Sequence, residues 1–149
     1  MGSLTFRTGD AIFIDANILI YSVERFPAYY AHLSPLWRAV RTRQIAVHAS
    51  ALMIPETLPI PLRQRNAIVL TAYRRLFRSR RLTLHPVTDP VLHRAAELRA
   101  AHNLRTPDAI HAATALLAPR CDLFLTNDDT FRRVPNLPVT LLRDLLATP

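Results

Sequence analysis

The stretch AIFIDANILIYSVE, residues 11–24, carries the sharpest change of pattern in the chain. A short apolar run from Ala11 to Ile14 meets Asp15, after which apolar residues return at helical spacing at Ile18 and Val23. This order predicts a buried strand that passes directly into an amphipathic helix. Asp15 stands at the junction, where it either caps the helix or belongs to a functional site at the end of the strand.

The same alternation continues to the end of the chain. Further strands are predicted from Ile45 to Ala49 and within residues 81–87, 122–126 and 138–142. Helices are predicted within residues 27–44, 52–58, 64–80, 89–103 and 106–118, with a short one at 129–133. Strands separated by helices pair in parallel through right-handed crossovers. We therefore predict an α/β fold, a three-layer α/β/α sandwich with a parallel sheet, in a single domain spanning residues 1–149.

Prolines, caps and apolar rows add local detail. Pro35 is expected to break or kink the second helix, and the prolines at 55, 59 and 61 predict a turn after Leu58. The apolar row expected to line the core side of the next helix is Ile68, Ala72 and Leu76. Asp89 and Thr106 are expected to cap the two helices that follow.

Composition limits the class of protein. Half of the 149 residues are hydrophobic, yet no apolar run approaches the roughly 20 residues that cross a bilayer. The first residues lack the basic and apolar regions of a secretory signal, and Cys121 is a lone cysteine. We therefore expect a soluble, cytoplasmic protein with no membrane association.

The charge is strongly positive. The sequence has 19 basic and 11 acidic residues, a net charge of +8, and every basic residue other than histidine is arginine. Such a field attracts polyanions, and guanidinium groups pair with phosphates in a planar geometry. Arginine used in place of lysine on an ordinary solvated surface explains the same composition.

Acidic residues follow several of the predicted strands. Asp15 and Asp128 come just after strand ends, while Glu56 and Asp108 fall in the first turns of helices. Because parallel strands end at the same edge of a sheet, these four carboxylates can converge on one rim. Like charges gathered there raise one another's pKa unless a cation lies among them. A hard divalent ion with oxygen ligands, Mg²⁺ or Mn²⁺, answers this requirement.

Each acid also has a purely structural interpretation. Asp15 and Asp128 can cap the helices that follow them, Asp108 suits the positive end of a helix dipole, and Glu56 can be a solvent-facing helix residue. Other chemistries leave little trace, since two glycines cannot build a phosphate-binding loop and no HExxH motif occurs. His111, three residues after Asp108, can approach the rim, although a packed or solvated histidine is the favoured interpretation.

Four motifs in order, FIDANILIYSVE, SALMIPETL, RTPDAIHAATAL and FLTNDDTF, resemble those of the PIN-domain ribonucleases, most closely the VapC-type toxins of toxin-antitoxin pairs. The resemblance extends from about Ile12 to Leu145. It implies that Asp15, Glu56, Asp108 and Asp128 are catalytic metal-site acids. The polar positions that it implies as support for the site are Asn17, Ser50 and Thr126.

The resemblance also implies an activity and partners. The activity is Mg²⁺- or Mn²⁺-dependent endonucleolytic hydrolysis of RNA. The partners are a cognate antitoxin that occludes the site and a second copy of the chain in a homodimer. The proline-rich segment after Glu56 departs from the family pattern, as does the extra carboxylate of Asp129.

Two other functions are compatible with parts of the sequence. A catalytically inactive PIN-like module that binds nucleic acid or protein has no use for all four acids. A phosphatase or phosphoacceptor domain needs Asp15 as a nucleophile and usually a lysine near the phosphoryl group, and the chain contains no lysine.

Overall fold

The computed structural model describes residues 4–146, so the ends of the predicted domain, 1–3 and 147–149, lie outside the described residues. Five strands form one sheet in which every pairing is parallel. The strands are β1 (Ala11–Ile14), β2 (Ala46–Ser50), β3 (Thr83–His85), β4 (Leu123–Thr126) and β5 (Val139–Leu141). Their order across the sheet is β3-β2-β1-β4-β5.

Helices cover both faces of the sheet. They are α1 (Ala16–Val23), α2 (Tyr30–Arg41), α3 (Met53–Thr57), α4 (Pro59–Arg63), α5 (Ala67–Arg78), α6 (Asp89–His102), α7 (Thr106–Leu117) and α8 (Leu142–Leu146), with a 3₁₀ helix at Asp129–Arg133. Side chains of β1 alternate between two hydrophobic cores: Ile12 and Ile14 pack in one, and Phe13 packs in the other. The predicted three-layer α/β/α sandwich with a parallel sheet is confirmed.

The central position of β1 determines where a site can form. From β1 the chain moves outward to β2 and β3, then returns to the other side of β1 for β4 and β5. In open parallel sheets, ligands bind at the carboxyl ends of the strands where the order reverses in this way. Here that point lies between β1 and β4, whose last residues are paired as Ile14 with Leu125.

Of the two effects expected at Pro35, a break or a kink, the break does not occur, because α2 continues through this residue. Proline has no N–H, so the carbonyl of Ala31 loses its usual helical donor. The hydroxyl of Ser34 donates to that carbonyl instead, at 3.0 Å. The neighbouring side chain therefore satisfies the backbone acceptor that proline leaves free.

The segment around the other prolines also differs from the prediction. α3 stops at Thr57 as expected, but residues 59–63 form the short helix α4 instead of a turn, with Pro59 in its first turn, where proline is tolerated. α5 begins at Ala67, later than predicted, and Asn66 caps it by accepting a hydrogen bond from the Val69 N–H at 3.1 Å.

The predicted core row of α5 was wrong in register. Ile68 is 84% exposed and Ala72 is exposed, whereas Tyr73 is fully buried and Leu76 is partly buried against the core. The Tyr73 hydroxyl donates to Oε2 of Glu24 at 2.6 Å, which ties α5 to the end of α1. A polar ring that finds a buried hydrogen bond competes successfully with an aliphatic residue for the core side of the helix.

Small differences occur at other helix ends. The N-cap residues of α6 and α7 are Thr88 and Arg105. The prediction that Asp89 and Thr106 are the caps was wrong by one position, because these are the first helical residues. The final helix α8 directly follows β5 and was not predicted. Within residues 4–146, no helix combines the length and apolar character that crossing a bilayer requires.

Candidate functional site

A cavity of about 300 Å³ lies at the carboxyl edge of the sheet. Its lining residues include four carboxylates, Asp15, Glu56, Asp108 and Asp128. Asn17 lines it as well, together with Arg105 and His111. Four acids from four different parts of the chain thus face one space, which we call the acid pocket.

Asp15 is the most firmly held of these acids. It is buried and caps α1, with Oδ1 accepting from the Ile18 N–H at 3.1 Å and Oδ2 accepting from the Thr126 hydroxyl at 2.5 Å. Burial raises the pKa of Asp15, and the two hydrogen bonds oppose part of that shift. The capping interpretation and the placement at the rim are therefore both correct for this residue.

Asp108 and Asp128 share one cation. The Arg105 guanidinium donates from Nε to Oδ2 of Asp108 at 3.1 Å, and its Nη2 atom lies 3.9 Å from Oδ2 of Asp128. Asp108 is buried in the first turn of α7. Asp128 caps the 3₁₀ helix, with Oδ1 accepting from the N–H and the hydroxyl of Thr130. Its other oxygen, Oδ2, is the one that faces Arg105 in the acid pocket.

Glu56 is paired with a histidine. Oε2 of Glu56 lies 2.6 Å from Nε2 of His111, whose ring is buried. Within the described protein, Nδ1 of His111 is buried and has no hydrogen-bond partner. In the neutral ring, donation from Nε2 to Glu56 leaves Nδ1 as an acceptor, so Glu56 is the group that sets the tautomer.

The three predicted supporting residues are placed differently from one another. Thr126 is fully buried and connects two strand ends, since its hydroxyl donates to Asp15 and accepts from the Asp128 N–H at 2.9 Å. Asn17 is exposed at the acid pocket. Ser50 is buried with its hydroxyl accepting from the Leu52 N–H at 3.1 Å, so its contact is with the turn that leads to α3.

Asp129 points away from these groups. It is exposed and forms ion pairs with Arg143 and with Arg132. The adjacent aspartates after β4 are therefore divided: Asp128 lines the acid pocket and Asp129 belongs to a surface arginine network.

The donor chemistry of the acid pocket fits a hard divalent cation, since its acids offer carboxylate oxygens only. Within residues 4–146, no three acidic, histidine or cysteine side chains stand close enough to hold an ion as they are. The Arg105 guanidinium supplies the positive charge next to Asp108 and Asp128. Binding of an ion by three of these acids therefore requires side chains of the acid pocket to rearrange.

One contact and one residue of the acid pocket were not predicted. His111 is packed, as favoured, and also reaches the rim, which was the other possibility, but its contact with Glu56 was not predicted. Arg105 was overlooked, although it stands three residues before Asp108, the spacing of an ion pair in a helical turn. That spacing is the signal by which the sequence could have revealed it.

The fold is shared with solved proteins of low sequence identity. The VapBC2 complex of Rickettsia felis, bound to a DNA fragment from its promoter, matches with a TM-score of 0.65 and 19% identity over 88% of this chain and 98% of that chain. VapC20 of Mycobacterium tuberculosis, a sarcin-ricin loop cleaving toxin, matches with a TM-score of 0.67 and 18% identity over 81% and 92%. FitAcB of Neisseria gonorrhoeae matches with a TM-score of 0.64 and 19% identity over 89% of this chain and 98% of that chain.

Two comparisons by sequence, with curated proteins and with protein-family models, give different results. No curated protein sequence matches the chain significantly. The family model of the PIN domain matches residues 12–137, which include all four acids of the acid pocket. The match covers most of the chain, and the chain belongs to the PIN domain family.

Proposed function

We propose that the chain is a divalent-metal-dependent endoribonuclease, the toxin of a type II toxin-antitoxin pair. The observation that carries this proposal is the convergence of four carboxylates on one pocket at the point where the strand order reverses. A module that only binds RNA gains nothing from four acids facing a phosphate backbone. Hydrolysis assisted by a cation uses the four carboxylates as ligands of that cation.

In this proposal Asp15 and Asp108 are the principal ligands of a Mg²⁺ or Mn²⁺ ion, and Glu56 and Asp128 complete the site. Asp15 is suited to this role because two hydrogen bonds fix its orientation before any ligand arrives. The chemistry that the ion supplies is polarisation of a phosphate oxygen and activation of the attacking water.

Glu56 is the candidate for orienting that water. Its contact with the buried ring of His111 restricts its rotamers and leaves its other oxygen free to accept from water. The water oxygen bonds to phosphorus as the P–O3′ bond breaks, and Glu56 takes up the proton that the water loses. The leaving 3′ oxygen takes a proton from solvent, and Glu56 returns its proton to solvent, so that one water is consumed for each bond cut.

Arginine side chains provide the contacts to RNA. Arg105 has 79% of its side chain exposed and stands at the edge of the acid pocket, so its guanidinium can exchange a carboxylate for a substrate phosphate. The arginine pairs at 74–75, 80–81 and 132–133 extend a positive field over the surface.

The toxin assignment rests on the resemblance and on the fold. One protein of this fold is a toxin-antitoxin complex from Klebsiella pneumoniae, and VapC20 is a toxin that cleaves the sarcin-ricin loop. A cognate antitoxin, a homodimer and a cytoplasmic site of action are parts of this proposal. Expression of the chain is then expected to arrest growth, and co-expression of a short neighbouring reading frame is expected to restore it.

The direct experiment compares cleavage of RNA by the wild-type protein and by Asp15→Asn and Asp108→Asn. We expect cleavage by the wild type with Mg²⁺ or Mn²⁺, loss of cleavage in chelator, and loss in both variants. Glu97→Gln is the matched control, because Glu97 is an exposed acid on α6 that pairs with Arg94 outside the acid pocket. Cleavage by Asp15→Asn at the wild-type rate contradicts the proposal.

The alternative of an inactive binding module is separated by metal titration. A nuclease site gains thermal stability on addition of Mn²⁺, and Asp15→Asn removes that gain. A module that only binds RNA or protein shows neither Mn²⁺-dependent stabilisation nor cleavage sensitive to chelator.

A further inference from the structure

Three aromatic rings are packed together at the end of α1 and in the turn that follows it. The ring centres of Tyr21 and Tyr29 are 4.6 Å apart, those of Tyr21 and Phe26 are 5.2 Å apart, and those of Phe26 and Tyr29 are 5.9 Å apart. The planes of Phe26 and Tyr29 are inclined by only 16°. We refer to these three residues as the aromatic platform.

One ring of the aromatic platform, that of Tyr21, lies near the acid pocket. Ile20 lines the acid pocket, and the next residue is Tyr21. Burial raises the pKa of Tyr21, the neighbouring Asn127 side chain opposes that shift, and the charge of Asp15 adds to it. Asn127 directly precedes Asp128 in the chain. Tyr21 therefore lies near Asp15, which lines the acid pocket, and near Asn127, whose neighbour Asp128 lines it.

The backbone holds the platform in place. The Phe26 N–H donates to the Tyr21 carbonyl at 3.1 Å, and the Phe26 carbonyl accepts from the N–H groups of Tyr29 and Tyr30 at 3.0 and 2.8 Å. Tyr21 and Tyr29 also pack against the core. Because the turn is already ordered, a ligand that stacks here loses little affinity to the entropy of ordering the protein.

Phe26 is the unusual member of the group. It leaves 47% of its surface exposed although it contacts two other rings. A single exposed apolar residue needs no explanation, but a cluster of rings beside a candidate active site does. The guanidinium of Arg25 lies 5.6 Å from the ring centre of Tyr30, so a cation borders the platform. Exposed rings next to a cation suit a ligand that has both a flat base and a phosphate.

We propose that the aromatic platform stacks an unpaired base of the RNA beside the scissile phosphate, with Arg25 on the adjoining backbone. This inference rests on the proposed function and specifies its substrate: RNA whose bases next to the cleavage site are free to stack. A duplex keeps its bases stacked on each other and cannot offer one to Phe26. Since every base has a flat face, the platform selects for an unpaired base and not for its identity.

Binding without metal tests the platform separately from cleavage. The probe is a short unpaired oligoribonucleotide that contains a fluorescent adenine analogue, free or annealed to its complement, in chelator. We expect the wild-type protein to quench the analogue in the free strand and not in the duplex. Phe26→Ala and Phe26→Leu should each lose the quenching and weaken binding by about fivefold or more, the lower end of the value of one stacked base.

Two variants keep the test specific to stacking. Phe26→Trp retains an aromatic ring and should preserve both the quenching and the affinity. Leu92→Ala is the matched control for removal of an exposed apolar side chain, since Leu92 is 45% exposed on α6. All four variants should unfold at temperatures close to that of the wild type, because none of these side chains is buried.

The outcomes separate this inference from the proposed function. If Phe26→Ala quenches and binds as the wild type does, or if the duplex is bound equally well, the platform does not stack RNA. The inference is then wrong, and the exposed rings either contact a protein partner or have no binding role. Cleavage with Mn²⁺ in that case leaves the proposed function intact. If binding depends on Phe26 but the wild type cleaves no RNA with Mg²⁺ or Mn²⁺, the platform stands and the proposed nuclease activity fails.

Discussion

His111 and Glu56 are 55 residues apart in the chain, yet Nε2 of His111 lies 2.6 Å from Oε2 of Glu56. The buried ring holds one of the four acids of the acid pocket in place. His111→Ala should lower the free energy of unfolding by about 2 kcal/mol or more, because a buried cavity forms and a hydrogen bond is lost. Cleavage should fall by roughly ten- to a hundredfold, as is usual when the partner of a metal-site residue is removed.

His111→Gln separates the two effects of that substitution. Glutamine retains an N–H donor near the position of Nε2 and fills more of the space than alanine does. Denaturant unfolding together with cleavage rates should show partial recovery of both. If His111→Gln cleaves as poorly as His111→Ala while regaining stability, the contact with Glu56 contributes to folding alone.

Asp128 and Asp129 should respond differently to loss of charge. Asp128→Asn keeps the Oδ1 acceptor for Thr130 and so preserves the cap of the 3₁₀ helix, while it removes a negative charge from the acid pocket. We expect a clear loss of metal-dependent cleavage. Asp129→Asn only weakens surface ion pairs with Arg143 and Arg132 and should leave cleavage within about twofold of wild type, given the small value of exposed pairs. Equal losses in the two variants would show that the pair is assigned wrongly.

Removal of the Arg105 charge should change the affinities for a divalent metal ion and for RNA in opposite directions. Its guanidinium contacts Asp108 and lies near Asp128, so it competes with a cation for the same carboxylates. Arg105→Gln should bind Mn²⁺ more tightly, by up to about fivefold for an exposed pair, and should bind RNA more weakly. Calorimetric titration of Mn²⁺ and a binding assay with RNA in chelator give the two affinities separately. Weaker Mn²⁺ binding in the variant would mean that Arg105 supports the site indirectly.

A pair of histidines should make stability depend on pH. Nδ1 of His48 lies 2.9 Å from Nε2 of His85, and both rings stack on Phe13. Burial lowers the pKa of both, and for His48 the neighbouring His85 lowers it further, from the ordinary value of 6.5. The unfolded chain therefore takes up protons at a higher pH than the folded protein does. The stability that the pair contributes is present above 6.5 and decreases as pH falls towards the lowered values.

The variant His85→Gln tests this dependence. Glutamine removes one titrating ring and keeps a hydrogen-bonding partner for Nδ1 of His48, since its side-chain amide can either donate or accept. The difference in unfolding free energy between wild type and variant should narrow, or shift in favour of the variant, from pH 7 to about pH 5. A difference that stays constant across this range would contradict the predicted pKa shifts.

The parts of the fold that were predictable are those that local sequence determines. The passage from β1 to α1 is marked by an apolar run, an acid and a return to helical spacing, and the structure reproduces it. Competition between distant residues was not predictable. Ile68 fits the helical period of α5, but Tyr73 takes the buried position because Glu24, at the end of α1, accepts its hydrogen bond.

The candidate site divides in the same way. That four acids could meet at one edge follows from the order of strands and helices, and the acid pocket has all four of them. The contacts between them do not follow, because they depend on side-chain directions after folding. The link between Asp15 and Thr126 and that between Glu56 and His111 each join distant segments, and no local pattern indicates either.

The placement of β4 next to β1 has a consequence during translation. Asp15 is synthesised early, but the hydroxyl that orients it, on Thr126, is 111 residues later in the chain, and Asp128 follows close behind. A nascent polypeptide thus lacks a complete set of acids until Asp128 has been added to the chain. If this protein cuts RNA, the ribosome that makes it works beside an inactive chain at least until that residue has emerged and folded against β1.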